Sequence, residues 1–233
     1  MDALILAAGF GTRLGDFLGG IPKPMLKIGN DPLLAINLDK LMRIGFDRIF
    51  VNSHFMHNKI KDFIESSEKY TAKVLVLYEE ELLGTAGTTK KIIRDYNPEN
   101  LLVMHGDNYF EDRLVNLLQE FYSLTREFTG VVGTFITNQP ENCGILRIED
   151  GYIKDIYEKS SIDNGQIANS AIYIFNQCAL NKIIQLKTEY NDLSTHFIPS
   201  ILKELKPVAL QGIFIDIGTP ENLIKARLHA EVD

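Results

Sequence analysis

The densest chemistry in the chain lies near its start. Leu6-Ala7-Ala8-Gly9-Phe10-Gly11-Thr12-Arg13-Leu14 is followed by Pro22-Lys23-Pro24. Glycines directly after an apolar run let backbone amides approach a ligand closely, and successive amides can form a concavity for an anion. Arg13 brings a planar fork that suits phosphate oxygens, and Lys23 a point charge. Prolines on both sides of Lys23 restrict its backbone, so its place is set before a ligand arrives. The bland alternative is a tight strand-to-helix turn with two solvated cations, and the glycines alone do not exclude it. A dinucleotide fingerprint fits poorly: Leu14 stands where the third glycine belongs, Gly15 comes one residue late, and no acid sits at the tip of the strand ending near Asn52. A Walker-type loop needs Gly-Lys-Ser/Thr, which the chain lacks.

Other polar residues recur where strands end. Gly84-Thr85-Ala86-Gly87 offers small residues against which a flat ring could lie, although a simple helix cap behind the acidic run Glu79-Glu80-Glu81 would look the same. Gly106-Asp107 follows an apolar run, at the carboxyl edge where α/β folds bind ligands. A carboxylate there suits Mg²⁺, which takes one or two carboxylates plus phosphate oxygens. Asp216 closes a second run in Phe214-Ile215-Asp216-Ile217-Gly218-Thr219-Pro220; each aspartate could instead merely cap the next helix. Gly144, Glu158-Lys159 and Asn169 fall between β signals, where a charged strand end is the commoner fate. His54 and His57 have no third metal ligand nearby, His105 could wall a pocket, and His196 and His229 fall in expected helices. No Ser-His-Asp or Cys-His set is evident, so covalent catalysis is not indicated.

The elements that must position these residues alternate. Ala3–Ala7 reads as a fully buried strand. It is followed by a helix over Pro32–Ile44, a strand over Asp47–Asn52, a helix over Asn58–Glu65, a strand over Lys73–Tyr78, a helix over Thr88–Tyr96 and a strand over Leu101–His105. This order argues for right-handed βαβ units and a parallel sheet. Beyond about residue 128 the pattern turns β-rich over Gly130–Thr137, Gly144–Ile148, Tyr152–Tyr157 and Ile167–Phe175, with a turn at Glu149-Asp150-Gly151. Helices near Ala179–Leu186 and Ser194–Leu205 and a strand over Val208–Ile215 precede a last helix opening at Thr219-Pro220-Glu221, with Thr as N-cap and Pro at N1. The expected fold class is α/β: a Rossmann-like, mixed, mostly parallel sheet flanked by helices. The expected organisation is a single domain over 1–233, with a nucleotide-binding half over about 1–127 and an acceptor half over about 128–233.

Composition limits the ligands. The chain has 233 residues and a net charge of −7, and proteins that wrap nucleic acid usually show a basic field instead. A phosphate-bearing ligand must therefore be held by a few placed cations, loop amides or a metal. No apolar run approaches the roughly 20 residues that span a bilayer, and MDALILAAGF has no basic stretch before it, so no membrane partner and no signal peptide are expected. Two cysteines, Cys143 and Cys178, suggest free thiols in a reducing cytoplasm.

Taken together, Gly9-x-Gly11-Thr12-Arg13-Leu14 and Pro22-Lys23-Pro24 resemble the hallmark of the sugar-1-phosphate nucleotidyltransferases, and the resemblance spans essentially the whole chain. It implies that Leu6, Ala7, Ala8, Gly9, Gly11, Thr12, Arg13 and Lys23, with Glu81, Gly84, Thr85, Ala86, Gly87 and Asp107, bind the nucleotide, and that Arg13 and Lys23 neutralise its phosphates during transfer. It makes Asp107 and Asp216 a pair that grips one Mg²⁺ (magnesium) ion. It assigns Asn108, Gly144, Glu158, Lys159 and Asn169 to the acceptor, with Lys159 on the sugar phosphate. The implied partners are a nucleoside triphosphate and a sugar 1-phosphate; a homo-oligomer is admitted but not specified. The similarity is to short members without a β-helix extension, among them heptose- and mannose-1-phosphate guanylyltransferases and N-acetylmuramate-1-phosphate uridylyltransferases. That leans toward GTP and leaves UTP or dTTP open. The stretch Gly15–Gly20 departs from the polar, proline-bearing segment common there. A cytidylyltransferase acting on a non-sugar phosphate such as phosphocholine is a second enzyme reading. A nucleotide-sugar sensor is a third, less favoured because Lys23, Asp107 and Asp216 are all retained.

Overall fold

A computed structural model describes residues 1–159, 164–187, 189 and 191–231. The fold is α/β, a mixed, mostly parallel sheet flanked by helices. The chain divides into two compact units. The first comprises Met1–Leu82, Met104–Glu111 and Ile213–Asp233, and the second Leu83–Val103 and Asp112–Gly212.

In the first unit, strand Asp2–Leu6 pairs in parallel with Ile49–Ser53, which pairs in parallel with Val74–Tyr78. Ala3, Leu4, Ile5, Ile49, Phe50 and Val51 are fully buried. Burial on both faces is what a continuous apolar run without polar alternation is built for. Helix Leu33–Ile44 runs between the first two of these strands and ends at Gly45, whose φ of 93° provides a left-handed stop. A short antiparallel ribbon pairs Asn108–Phe110 with Phe214–Asp216. Helix Pro220–Ala230 follows, with the Thr219 hydroxyl accepting from the Asn222 amide, the N-cap that its sequence announces. Its Leu223 and Ala226 pack with Leu14, Leu26, Ile28, Leu33, Tyr109 and Ile217, so the glycine-rich segment and the Asp216 segment are anchored on one apolar cluster.

In the second unit, Gly130–Ile136 pairs antiparallel with Ile167–Phe175 and parallel with Leu205–Ala209. The hairpin Gly144–Glu149/Tyr152–Glu158 turns on Asp150 and Gly151, both with positive φ. Positive φ at both central residues is the turn that matches strand twist. Cys143 and Cys178 are free thiols. No helix among the described residues is long and apolar enough to cross a membrane.

Several boundaries differ from the sequence reading. The helix expected over Thr88–Tyr96 begins at Gly84, because the small residues taken for a loop already form its first turn. The helix expected over Ser194–Leu205 is a π-helical turn, Leu193–Phe197, followed by a 3-10 segment, Ile198–Glu204, broken at Ile201. Pro199 lacks the amide that a continuous helix would use. The strand expected over Val208–Ile215 is two strands, Leu205–Ala209 and Phe214–Asp216, separated by Gly212 at φ 76°. Helix Val115–Tyr122 and strand Asn108–Phe110 were not foreseen.

Candidate functional site

The first unit gathers the charged residues of the glycine-rich segment around two aspartates. Strand Asp2–Leu6 ends in Ala7 and Ala8, which are buried, and opens into exposed Gly9. Gly11 has φ 65°, which favours glycine, and a side chain there would press on Leu18 and on Cβ of Lys23. Thr12 begins a 3-10 segment, Thr12–Leu18. Lys23 opens another, Lys23–Met25, behind Pro22. The Gly106 amide donates to the Leu6 carbonyl at 2.8 Å, which ties the Gly106-Asp107 turn to the end of the first strand.

The ribbon places the two acids together. Asp216 lies opposite Asn108, and the Ile217 amide donates to the Asp107 carbonyl at 3.0 Å. Lys23, almost fully buried, reaches between them: its ammonium donates to the Asp107 carboxylate and lies 3.8 Å from Asp216 Oδ1. The Arg13 guanidinium approaches from Gly218. A methyl group on Gly218 would stand 2.6 Å from the Arg13 guanidinium and 2.8 Å from Asp216 Oδ1, so a side chain there would displace one of these two groups. The Gly218 amide donates to Asp216 Oδ1 at 2.7 Å.

The electrostatics of this group follow from crowding. Burial pushes the Asp107 carboxyl up, but Lys23 and His105 with the hydrogen bonds outweigh it and hold it below the usual carboxylate range. Burial and the neighbouring Asp107 charge raise Asp216, against the pull of Lys23 and Arg13. Two carboxylates therefore share one ammonium. Such a pair of hard oxygen donors fits a divalent cation whose remaining ligands are phosphate oxygens. No group of three or more metal-capable acids, histidines or cysteines occurs among the described residues. Asn108 is buried, and its carbonyl accepts from the Asn37 side chain at 3.1 Å.

Two residues of this unit escaped the sequence reading. Asn52, at the end of the second parallel strand, accepts from the Ala7 amide at 2.7 Å and donates to Glu79 Oε1 at 2.9 Å. Both Asn52 and Glu79 are buried, so they pin the start of the glycine-rich segment from below. The available signal was a polar pair at the tips of two otherwise apolar strands. Glu81, the acid singled out instead, is exposed. His54 bonds to the Glu79 carbonyl and His57 to the Ser53 hydroxyl, each at 2.8 Å, which gives both histidines local partners.

The second unit holds the remaining residues in two places. Gly144 lies opposite Glu158 in the hairpin, and a methyl group on it would fall 2.5 Å from Glu158 Oε1. Burial raises the Glu158 carboxyl, Lys159 opposes that shift, and Asp192 adds to it. Lys159 takes a left-handed φ of 45° and donates its amide to the Cys143 carbonyl at 3.0 Å. Asn169 sits where the register slips. Its side chain accepts from the Ala171 amide at 2.9 Å and donates to the Tyr173 hydroxyl at 2.8 Å. Burial lifts that hydroxyl to about 12, so it stays protonated at neutral pH.

The other place is the turn Gly84–Gly87. The Ala86 amide donates to the Asn191 carbonyl at 2.9 Å, the Thr85 hydroxyl donates to Asp192 Oδ2 at 3.0 Å, and the Leu193 amide donates to that same hydroxyl at 2.7 Å. A methyl group on Gly84 would lie 2.3 Å from the Asn191 carbonyl oxygen. Glycine at position 84 thus has a packing reason within the unit, independent of any ligand.

A family model described as nucleotidyl transferase matches residues 2–232. A putative mannose-1-phosphate guanyltransferase of Sulfolobus acidocaldarius is 29% identical over 233 residues, covering 98% of this chain and 62% of that protein. A putative glucose-1-phosphate thymidylyltransferase from Bacillus anthracis, solved with a sucrose, superposes with a TM-score of 0.86 at 22% identity, over 99% of this chain and 95% of that one, a likeness of fold. HddC from Yersinia pseudotuberculosis, solved with GMP-PN, superposes with a TM-score of 0.80 at 28% identity over 98% of both chains. The chain spans between about half and just under two thirds of the length of the curated relatives it matches. With a family match from residue 2 to residue 232, the chain belongs to the nucleotidyl transferase family.

Proposed function

We propose that the protein joins a nucleoside triphosphate to a sugar 1-phosphate, forming a nucleotide-activated sugar and releasing pyrophosphate. The observation that carries this reading is the shared contact of Lys23 with Asp107 and Asp216, with Arg13 beside them. An acidic chain with that cluster can hold a polyphosphate without a broad basic surface. In the proposed reaction a phosphate oxygen of the sugar 1-phosphate attacks the α-phosphorus. The α–β bridging bond breaks, and its oxygen leaves with pyrophosphate. The attacking phosphate is already ionised at neutral pH, so no residue has to remove a proton. Catalysis then rests on positioning and on charge neutralisation.

In this reading Lys23 and Arg13 stabilise charge on the transferring and leaving phosphates. The amides of Gly9 and Gly11 and the residues Leu6 to Thr12 wrap the nucleotide, together with Glu81 and Gly84–Gly87. Asp107 and Asp216 would hold Mg²⁺, which when bound neutralises phosphate oxygens. Lys159 holds the acceptor phosphate, while Glu158, Asn169 and Asn108 meet sugar hydroxyls beside Gly144. Glu158 suits a hydroxyl donor, being a partly buried carboxylate without a described ion pair. The single domain over 1–233 would serve both substrates, in the cytoplasm, within nucleotide-sugar synthesis for polysaccharides.

GTP and a mannose- or heptose-type sugar 1-phosphate are the favoured pair. The support is the mannose-1-phosphate guanyltransferase named among the relatives and the GMP-PN complex of the Yersinia protein. The test is incubation with each of the common triphosphates, a panel of sugar 1-phosphates, phosphocholine and Mg²⁺, followed by assay of pyrophosphate. Release that requires GTP and one of these sugars supports the reading. Release only with CTP and phosphocholine replaces it, and none with any pair removes it.

A further inference from the structure

Among the described residues, a concentrated basic pocket lies outside the cluster around Lys23. It is a half-open depression of about 400 Å³ in the second unit, and Lys90, Lys91, Arg94 and Lys187 line it, with Asp95, Gly87 and Asn191. Lys90, Lys91 and Arg94 fall on one face of helix Gly84–Tyr96, at the three- and four-residue spacing of a helix. Lys187 comes from the segment after helix Gln177–Gln185. Asp95 pairs with Lys91 at 2.5 Å. Among the described residues, none of Lys90, Arg94 and Lys187 has an ion-pair partner. The Lys90 ammonium instead donates to the Leu186 carbonyl at 2.5 Å. Its pKa is lowered by burial and then by the like charge of Arg94.

Three cations without an ion-pair partner among the described residues face one half-open depression, in a protein of net charge −7, and an anion seated there would offset their mutual repulsion. We infer that this pocket is a second anion site, which takes a small compound bearing two phosphoryl groups. A single terminal phosphoryl group carries about −1.5 to −2 at neutral pH, which leaves part of the positive charge unmatched. Two phosphoryl groups match it, and the volume lies within the range of small-ligand sites. The Arg94 fork supplies bidentate contacts, and the lysines supply point charges. Asn191, which lines the pocket, also accepts from the Ala86 amide in the turn Gly84–Gly87.

The test is titration of the full chain with inorganic pyrophosphate, without divalent ions, followed by amide NMR. The expected result is saturable shifts at Lys90, Arg94 and Lys187, distinct from those at Gly9 and Gly11 that the proposed reaction itself predicts. Arg94→Glu with Lys187→Glu should weaken the first set by roughly tenfold or more and leave the second unchanged. The control pair Lys59→Glu with Lys61→Glu, which alters net charge equally, should leave both sets unchanged. Absence of the first set in the parent, its persistence in the Arg94/Lys187 variant, or equal weakening in the control overturns the inference. Absence of only the second set counts against the proposed reaction and leaves this site standing.

Discussion

Replacing Lys23 by alanine removes the ammonium that two carboxylates share, and the consequences can be sized from its surroundings. The Lys23 side chain is 10% exposed, Asp107 22% and Asp216 49%. Breaking a fully buried ion pair costs about 3–5 kcal/mol because the remaining charge is stranded. Here Asp216 is half in water, so the loss is smaller, about 2 kcal/mol. For a chain of this size that corresponds to a fall in Tm of roughly 4–8 °C. The loss must also depend on pH. In the parent, Lys23 helps hold the Asp107 carboxyl below its usual value. That contribution is present above the unfolded carboxylate range and is lost as pH falls through the lowered value. In the variant, burial and mutual repulsion raise both carboxyls. Their contribution is then full below the unfolded value and is lost as pH rises through the raised ones. The deficit should therefore be largest at neutral pH and should narrow toward about pH 4. Thermal unfolding by circular dichroism across that range measures it. A Tm difference that stays constant with pH, or no difference at pH 7, refutes the shared-counter-ion account. Turnover should fall by about 10²-fold or more; a wild-type rate removes Lys23 from the proposed machinery.

Three further perturbations probe the supports. Gly84→Ala combines a φ of 74° with a methyl group 2.3 Å from the Asn191 carbonyl oxygen, and urea unfolding should show a loss of about 2–3 kcal/mol. Asn52→Leu removes the acceptor of the Ala7 amide and a donor to Glu79 Oε1. It should cost roughly 2–4 kcal/mol and raise KM for the triphosphate more than KM for the acceptor; an unchanged ratio of the two would show that the Asn52 bonds do not position the loop. Glu158→Gln removes a carboxyl that burial raises. A raised carboxyl stabilises the fold below its unfolded pKa and loses that effect as pH rises through the folded value. The variant should therefore melt higher than the parent at pH 7 and equally at pH 4, and an opposite ordering would contradict the assigned shift.

What could be read from the chain was what rests on local pattern. The buried runs Ala3–Ala7 and Leu101–His105, the Asp150-Gly151 turn and the Thr219-Pro220 helix start each carry their signal within a few residues. The pairing of Asp107 with Asp216 was expected only through resemblance, because more than a hundred residues of chain separate them and a short antiparallel ribbon brings them together. Asn52 and Glu79 were missed for a related reason. Each is a single polar residue at the tip of a strand, and its role exists only once the strands lie side by side. The Ser194–Leu205 segment misled because its apolar spacing is helical, while Pro199 and the Asp192 cap break the hydrogen-bond pattern. The Gly84 turn was legible only in part. Its glycines read as a ligand loop, and the packing of Gly84 against the Asn191 carbonyl is a second reason for glycine that the sequence does not show.

The most direct measurement of the proposed transfer follows the oxygen atoms. A sugar 1-phosphate labelled with heavy oxygen throughout its phosphate, supplied with GTP and Mg²⁺, should give a nucleotide sugar retaining every labelled atom, and pyrophosphate containing none. Label in the pyrophosphate, or free nucleotide formed without any nucleotide sugar, would show that the cluster around Lys23 serves a different reaction.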